Sequence, residues 1–407
     1  MDKRLLTILL IVFVQMVGAA MIMPILPLFA QHEFGLSPEV IALLVTSFWA
    51  AQFIAGPFLG RYSDRHGRVP VLLVSQIGTV ISFLMLALAP GVWMLFLARL
   101  LDGITGGNII VAQAYITDIT PKEKRTEALG YVFALFGLGF IIGPALGGFL
   151  AAAFGPRTPY FIAAGAALVV VILTYFTLEE TVTPEQQQER RSSREAGIQF
   201  GELLKNSPLL LILSVAFLGQ FGLGLLQATF SLYGEAVLFS DSTAEAALRG
   251  IGILLATIGL SQFITQAFLL RPALRRFGEY RLVIFGNLAR MVGSFIYAVI
   301  ATPILGAAAG MIFAFGIGIM MPSLQSLATG TVDDDDRGGV LGIYQSTVSL
   351  SIIVSSALGG VLFSLAATMP YWVGGSLGAL ALIPAVALFL QYGNKKAAVN
   401  SVPTAVD

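Results

Sequence analysis

The sequence predicts an all-α polytopic membrane protein, with twelve transmembrane helices in two six-helix bundles related by pseudo-two-fold symmetry. Three observations carry that reading. Of 407 residues, 57% are hydrophobic and only 11% are charged, more apolar surface than a soluble domain of this size could bury. The chain divides into apolar runs long enough to cross a ~30 Å hydrocarbon layer as helices rising 1.5 Å per residue. The second half also echoes the first. Leu146-Gly147-Gly148-Phe149-Leu150 returns as Leu358-Gly359-Gly360-Val361-Leu362, 212 positions later, and at that offset Arg125 meets Arg337 and Gly130 meets Gly342. Pro159-Tyr160 meets Pro370-Tyr371 at 211, and Gln52-Phe53-Ile54 meets Gln262-Phe263-Ile264 at 210. Parallel repeats of six spans are one plan for secondary transporters, with the binding site between the halves.

The first run, about 5–29, follows Lys3 and Arg4 and imitates a signal peptide. It is long enough to span and has no small-residue cleavage site, so it is expected to be the first membrane helix. Segments 38–60 and 69–89 are joined by a short charged turn; 92–117 carries two ionisable side chains, 126–152 a glycine-rich face, and 158–178 completes the first half. Residues 179–207 include Glu185-Gln186-Gln187-Gln188-Glu189-Arg190-Arg191, too polar to build a core, and read as a tether. The second half repeats the pattern with 208–234, 246–270, 280–301, 303–328, 338–366 and 370–391. The expected units are therefore a bundle at 1–178, a linker at 179–207, a bundle at 208–391 and a tail at 392–407. None of the runs alternates as barrel strands do, and helices are the other structure that satisfies its backbone in lipid. Asp333-Asp334-Asp335-Asp336, just before segment 338–366, reads as a helix cap and dipole partner. It lacks the glycine and distal glutamate of a calcium loop.

Lysine and arginine set the orientation. Of the 23, 19 fall on one side of the predicted spans, and only Arg157 and Arg249 on the other. Both termini and the middle loop are thus expected in the cytoplasm. There is no cysteine and there are two histidines, which leaves no thiolate or histidine-built metal centre. Net charge is zero, so the charge balance implies no nucleic acid partner. No GxxxxGK[ST] phosphate loop occurs, which argues against an ATP-driven pump.

Gly60-Arg61-Tyr62-Ser63-Asp64-Arg65-His66-Gly67-Arg68 fills the turn between segments 2 and 3. It resembles the GxxxDRxGR signature of the major facilitator superfamily and keeps every specified position. The equivalent second-half turn, Arg271 to Gly278, stays basic but lacks the aspartate. The resemblance implies a gating role for Gly60, Asp64, Arg65, Gly67 and Arg68. Asp64 can face a helix N-terminus of the other bundle, while Asp118, at the end of segment 4, is the expected partner of the arginines. Gly139-Phe140-Ile141-Ile142-Gly143-Pro144-Ala145-Leu146-Gly147-Gly148 matches the GxxxGPxxGG pattern of proton-coupled exporters in that superfamily. Gly139, Gly143 and Gly147 clear one helix face, Gly148 follows, and Pro144 permits a bend. Arg99 to Gly107 and Ala114 to Thr120 are similar to the tetracycline/proton antiporter branch of the twelve-span drug–proton antiporters.

Only Arg99, Asp102 and Arg290 are ionisable and well inside the predicted membrane. Each costs about 2.5–3.5 kcal/mol to insert, so a role is expected. Arg99 and Asp102 stand at i and i+3 and can pair. Gly106, Ile109 and Gln113 would continue that face as a polar stripe. The pair is either a structural tie or a protonation switch, since dehydration favours the neutral acid and the arginine favours the carboxylate. Arg290 either contacts an anion or braces helices through carbonyl groups. Segments 1, 4, 7 and 10 are expected to line the cavity, as they do in the superfamily. Gln15, Gln113, Gln220, Gln227 and Gln325 would supply neutral polar groups there, and Phe230 and Phe313 aromatic faces.

The expected function is proton-driven export of small lipophilic compounds across a bacterial inner membrane by alternating access. It needs no cofactor, with the proton as coupling ion, and its partners are the substrate, membrane lipids and protons. A monomer is expected. Export of a lipid or a metabolite such as a sugar uses the same fold, and a non-transporting ligand receptor is the reading from another class. An enzyme is not expected, because no nucleophile–base pair or metal cluster falls at membrane depth.

Overall fold

The structure, a computed structural model, describes residues 3–106, 108–121, 125–181, 206–332 and 337–393, and among these no strand occurs. Most of the linker and tail, together with the Asp333–Asp336 run, fall outside the described residues. The first half comprises α1 (Lys3–Phe34), α2 (Pro38–His66), α3 (Arg68–Leu88), α4 (Val92–Thr105), α5 (Asn108–Ile119), α6 (Arg125–Phe154) and α7 (Thr158–Thr177). The second comprises α8 (Ser207–Tyr233), α9 (Ala244–Ile264), α10 (Leu270–Val299), α11 (Pro303–Thr329), α12 (Arg337–Leu365) and α13 (Met369–Leu388). Single π turns extend α8 through Gly234–Leu238 and join α9 to α10 through Thr265–Leu269.

Eleven helical runs among the described residues are long and apolar enough to cross a membrane. One of them, Ala244–Val299, has 56 residues and would measure about 84 Å if straight. It reverses at Gly278, whose φ of 73° is a conformation open chiefly to glycine, so it makes two crossings and the total is consistent with twelve. The turn expected over residues 271–278 is therefore helical until this one residue. The charged turn at residues 60–68 is likewise helical through His66, and only Gly67 (φ 100°) breaks the path from α2 into α3. The expected single helix at 92–117 is two. α4 ends at Thr105, and Gly106 keeps right-handed helical angles with ψ −7° while its N–H still makes the helical bond to the Asp102 carbonyl at 2.6 Å. Gly107, between α4 and α5, and the Ile109 side chain of the expected stripe lie outside the described residues.

The same pairings build both halves: α1 with α6, α2 with α4 and α3 with α7 in the first, α8 with α12, α9 with α11 and α10 with α13 in the second. The halves meet along α6–α9, α2–α12 and α1–α8. Outward faces carry large apolar side chains such as Ile54, Phe58, Val74, Phe176 and Ile304, a surface suited to lipid rather than water. The chain is a multi-pass membrane protein.

Candidate functional site

Contacts between the halves concentrate at the end of the bundle far from Lys3. There the His32 imidazole approaches the Glu235 carboxylate at 3.0 Å, and Thr46 and Ser356 share a hydrogen bond of 2.9 Å. Ser231 donates to the Met23 carbonyl at 3.2 Å. A side chain at Gly360 would strike α2, with Glu39 Cα at 2.6 Å and Ala42 Cβ at 2.7 Å. The molecule is thus closed at that end.

Beneath this closure lies a cavity in which the centre of a water molecule has about 180 Å³ of room. Its walls are apolar and aromatic: Met16 and Met23 of α1, Phe48 and Trp49 of α2, Phe136 and Phe140 of α6. Gln52, Gln227, Arg99 and Asp102 are the polar groups in the lining. Asp102 stands ten residues into its span, about 15 Å from the start of α4 and so near mid-membrane. Arg99 Nη1 donates to Asp102 Oδ2 at 2.8 Å, and both side chains are nearly buried. The guanidinium lies over the Phe48 ring, 4.2 Å from its centroid, and its Nε has no partner. Gln52 Nε2 reaches the Gly106 carbonyl at 3.2 Å, tying α2 to the break after α4.

The structure brings together only part of the expected cavity set. Five crossings line the cavity, formed by α1, α2, α4, α6 and α8, and the tenth crossing contributes no lining residue. Of the five glutamines expected there, Gln227 alone joins Arg99 and Asp102. Gln15 opens into a separate small cavity, and the half-buried Gln113 and Gln325 line neither. Phe230 and Phe313 are fully buried in packing, with Phe230 edge-on to Tyr297 at 5.7 Å. Arg290 is a brace. It donates to the Gly219 carbonyl and to Gln220 Oε1 (3.2 Å) on α8 and lies over Phe313 of α11, 5.2 Å from the ring centroid. Phe230, Phe313, Gln220 and Arg290 point into the second bundle because the rotation of α8, α10 and α11 is set by tertiary packing.

At the Lys3 end, Arg68 is the hub of a second cluster. Its guanidinium bonds Asp64 at 2.6 Å, Asp118 at 3.1 Å and the Ser63 hydroxyl at 2.7 Å. The expected Arg68–Asp118 pairing is present. Sequence reasoning missed Glu180, which arrives from beyond α7. It accepts the Arg68 N–H at 2.8 Å and the Val69 N–H at 3.0 Å, the first free donors of α3. A side chain at Gly67 would collide with that carboxylate. Gly60 lies on α2 beside Ile110, and Arg65 occupies the same end.

The glycine motif divides its work between two faces of α6. Gly139, Gly143 and Gly147 lie on α1, where added Cβ atoms would meet Met16 Cβ at 2.7 Å, Ala20 Cβ at 2.7 Å and the Met21 carbonyl at 2.5 Å. Gly148 faces the other half, its Cβ position 2.6 Å from the Leu248 carbonyl, and Gly252 of α9 approaches the Pro144 carbonyl equally closely.

The sequence model of the Major Facilitator Superfamily matches residues 8–248 and 238–405. The chain is 32% identical over 380 residues to tetracycline resistance protein, class E, of Escherichia coli, covering 92% of this chain and 91% of that protein. It is 30% identical over 371 residues to multidrug resistance protein 2 of Bacillus subtilis, covering 89% and 90%. Among solved structures, the nucleoside transporter NupG superposes with a TM-score of 0.78 at 13% identity, over 96% of this chain and all of the other. The human organic anion transporter MFSD10 superposes with a TM-score of 0.69 at 19% identity, over 95% and all. The chain belongs to the Major Facilitator Superfamily, a family of transporters and not of enzymes.

Proposed function

We propose that this superfamily member exports small lipophilic drugs from a bacterial cell across the inner membrane in exchange for protons, with both termini cytoplasmic. The observation that carries the reading is the buried Arg99–Asp102 pair in the wall of an otherwise apolar cavity between two halves closed at one end. The relatives named for tetracycline and multidrug resistance support the substrate class. With cytoplasmic termini, the closed end is periplasmic and the cavity belongs to the inward-facing state.

The cavity supplies what the cycle needs. Thioether and aromatic walls bind a flat lipophilic molecule with little directional demand, while Gln52 and Gln227 offer hydrogen bonds. Asp102 carries the proton. As a carboxylate it is held by Arg99; protonation removes its charge, weakens the tie and leaves the guanidinium to the Phe48 ring. Substrate near the pair favours one protonation state over the other, and that differential binding is the coupling free energy, about 1.4 kcal/mol for each tenfold change. Asp64, Arg68 and Asp118 set the balance between the two facing states, and one chain holds the complete cavity and acts as a monomer.

Proteoliposomes containing Asp102→Asn test this, with tetracycline first and a chemically varied panel after it. Accumulation driven by a pH gradient should be lost while downhill exchange survives, since an amide imitates the protonated acid but cannot release a proton. Normal gradient-driven accumulation per folded molecule would eliminate Asp102 as the carrier. Loss of folded protein, restored by swapping Arg99 and Asp102, would make the pair a structural tie.

A further inference from the structure

The helical run that joins α9 to α10 carries a group of arginines at the Lys3 end of the bundle. α8 starts at that end and reaches the closed end at Glu235, so α9 returns and brings residues 270–278 back to the Lys3 side. Arg271, Arg275, Arg276 and Arg281 are all exposed there. Among the described residues none of them forms an ion pair. Glu279, the acid in their midst, accepts a hydrogen bond from the Ser326 hydroxyl instead. The chain leaving α11 heads for the start of α8, where Asn206 Nδ2 donates to the Thr331 carbonyl at 3.2 Å.

The matching turn of the first half is arranged differently. Arg68 meets Asp64 and Asp118 there, and Glu180 caps the helix that follows. The second-half turn keeps basic residues and has no acid between Arg271 and Gly278.

Beneath these arginines runs a face turned to lipid. Along α10 the exposed positions Arg281, Phe285, Leu288 and Val292 recur at helical spacing, while Leu282, Val283, Asn287 and Arg290 on the other side are buried. Arg281 therefore stands at the end of the apolar stripe, where hydrocarbon gives way to headgroups. Its guanidinium lies over the Phe389 ring, 5.6 Å from the centroid. The Arg276 guanidinium lies over Phe277 at 5.5 Å, and Phe277 meets Phe285 edge-on at 5.6 Å. Two guanidiniums are thus seated on rings at one end of one lipid face.

An arginine stacked on a ring keeps its N–H edge available to an anion, and its planar fork matches a phosphate. Unbalanced positive charge at the rim of an apolar stripe is complementary to a molecule with acyl chains and a net negative headgroup. We propose that Arg276 and Arg281 bind the phosphodiester of an anionic phospholipid whose chains lie along Phe285, Leu288 and Val292. Arg271 and Arg275 add to the attraction without touching the phosphate. The site depends neither on Asp102 nor on the exported compound, so it stands or falls apart from the transport reading.

Native mass spectrometry of the purified full chain in detergent, titrated with dioleoylphosphatidylglycerol or dioleoylphosphatidylcholine, tests the site. The two lipids share their chains and differ in net charge, and the parent should bind the first more tightly. Each arginine near a headgroup is worth about fivefold in affinity, so the double variant Arg276→Gln, Arg281→Gln should bind phosphatidylglycerol about thirtyfold more weakly and phosphatidylcholine as before. Both side chains are exposed, so the packed core is left intact. Arg276→Lys with Arg281→Lys keeps the charge and should retain most of the preference. Arg249→Gln removes an exposed arginine of α9 at the closed end and should bind as the parent does. Equal affinity of the parent for the two lipids, the result expected if Asp333–Asp336 neutralised the arginines, overturns the proposal. So does an undiminished preference in the double glutamine variant, or an equal loss in Arg249→Gln.

Discussion

The seam between α6 and α9 gives the sharpest mechanical prediction, Gly252→Ala. A Cβ at Gly252 would lie 2.6 Å from the Pro144 carbonyl oxygen and 3.3 Å from Gly148 Cα. Carbon and carbonyl oxygen normally approach to about 3.3 Å, so the two backbones must part by roughly 0.7 Å at this point. Neither neighbour is a side chain that can turn aside. Overpacking of this kind costs about 1–3 kcal/mol. The strain falls between the halves and only where they touch, so it should raise the energy of the closed end and spare both bundles. Converted to populations, the shift away from this state is about 5- to 150-fold. The chain has no cysteine, so Ser356→Cys, a fully buried position against Thr46, can report opening by its rate of maleimide labelling. Gly252→Ala should label faster at that position, while Gly165→Ala, with nothing within 4 Å of the new Cβ, should label as the parent does. Equal rates for the parent and Gly252→Ala would refute the close-packed seam as a determinant of state.

Two further outcomes concern residues outside the cavity. Glu180→Ala removes the acceptor for the first two N–H groups of α3 and should lower stability by about 0.5–2 kcal/mol, read as a reduced thermal unfolding midpoint; an unchanged midpoint counts against the cap. Arg290→Met keeps the volume of a buried cation whose contacts are a carbonyl, an amide and a ring, so folded protein and transport of neutral substrates should both persist, and transport lost from well-folded protein would place Arg290 in the substrate path.

The fold was legible because its signals are local or periodic. Apolar runs mark the spans, the repeat offset marks the halves, and Asp118 could be joined to Arg68 by topology alone, whereas Asp64, expected to face the other bundle, pairs with Arg68 of its own. Cavity membership was far less legible. Phe230, Phe313 and Gln220 lie on crossings expected to face the cavity, but a helix has an inner and an outer side, and rotation within the bundle turns these three inward to packing. Gln113 of the expected stripe is half-buried and does not line the cavity. Phe48, Trp49 and Gln52 carry no motif, and their role depends on α2 leaning over α4. Glu180 is an acid just beyond an apolar run, a common pattern, and only its meeting with Arg68 across more than a hundred residues gives it meaning.

The two halves share an architecture and divide its chemistry unequally. Among the described residues the buried ion pair lies in the first half, whereas the second holds a buried arginine that donates to neutral groups, so in the proposed cycle the first half is the one that changes charge. Four of the five crossings that line the cavity, with all of its aromatic, thioether and charged groups, likewise belong to the first half, and Gln227 is the contact from α8. In the proposed cycle, a charge change there must still move the seam between the halves. α6 is the element placed to transmit it. Phe136 and Phe140 reach the cavity, Gly139 and Gly143 seat α6 against Met16 and Ala20 of the cavity helix α1, and Pro144 and Gly148 seat its opposite face on α9. Closely packed backbones of this kind leave little slack. A small displacement of α1 toward or away from Asp102 therefore cannot be absorbed by side chains alone, and it arrives at the α9 seam through the helix that touches both.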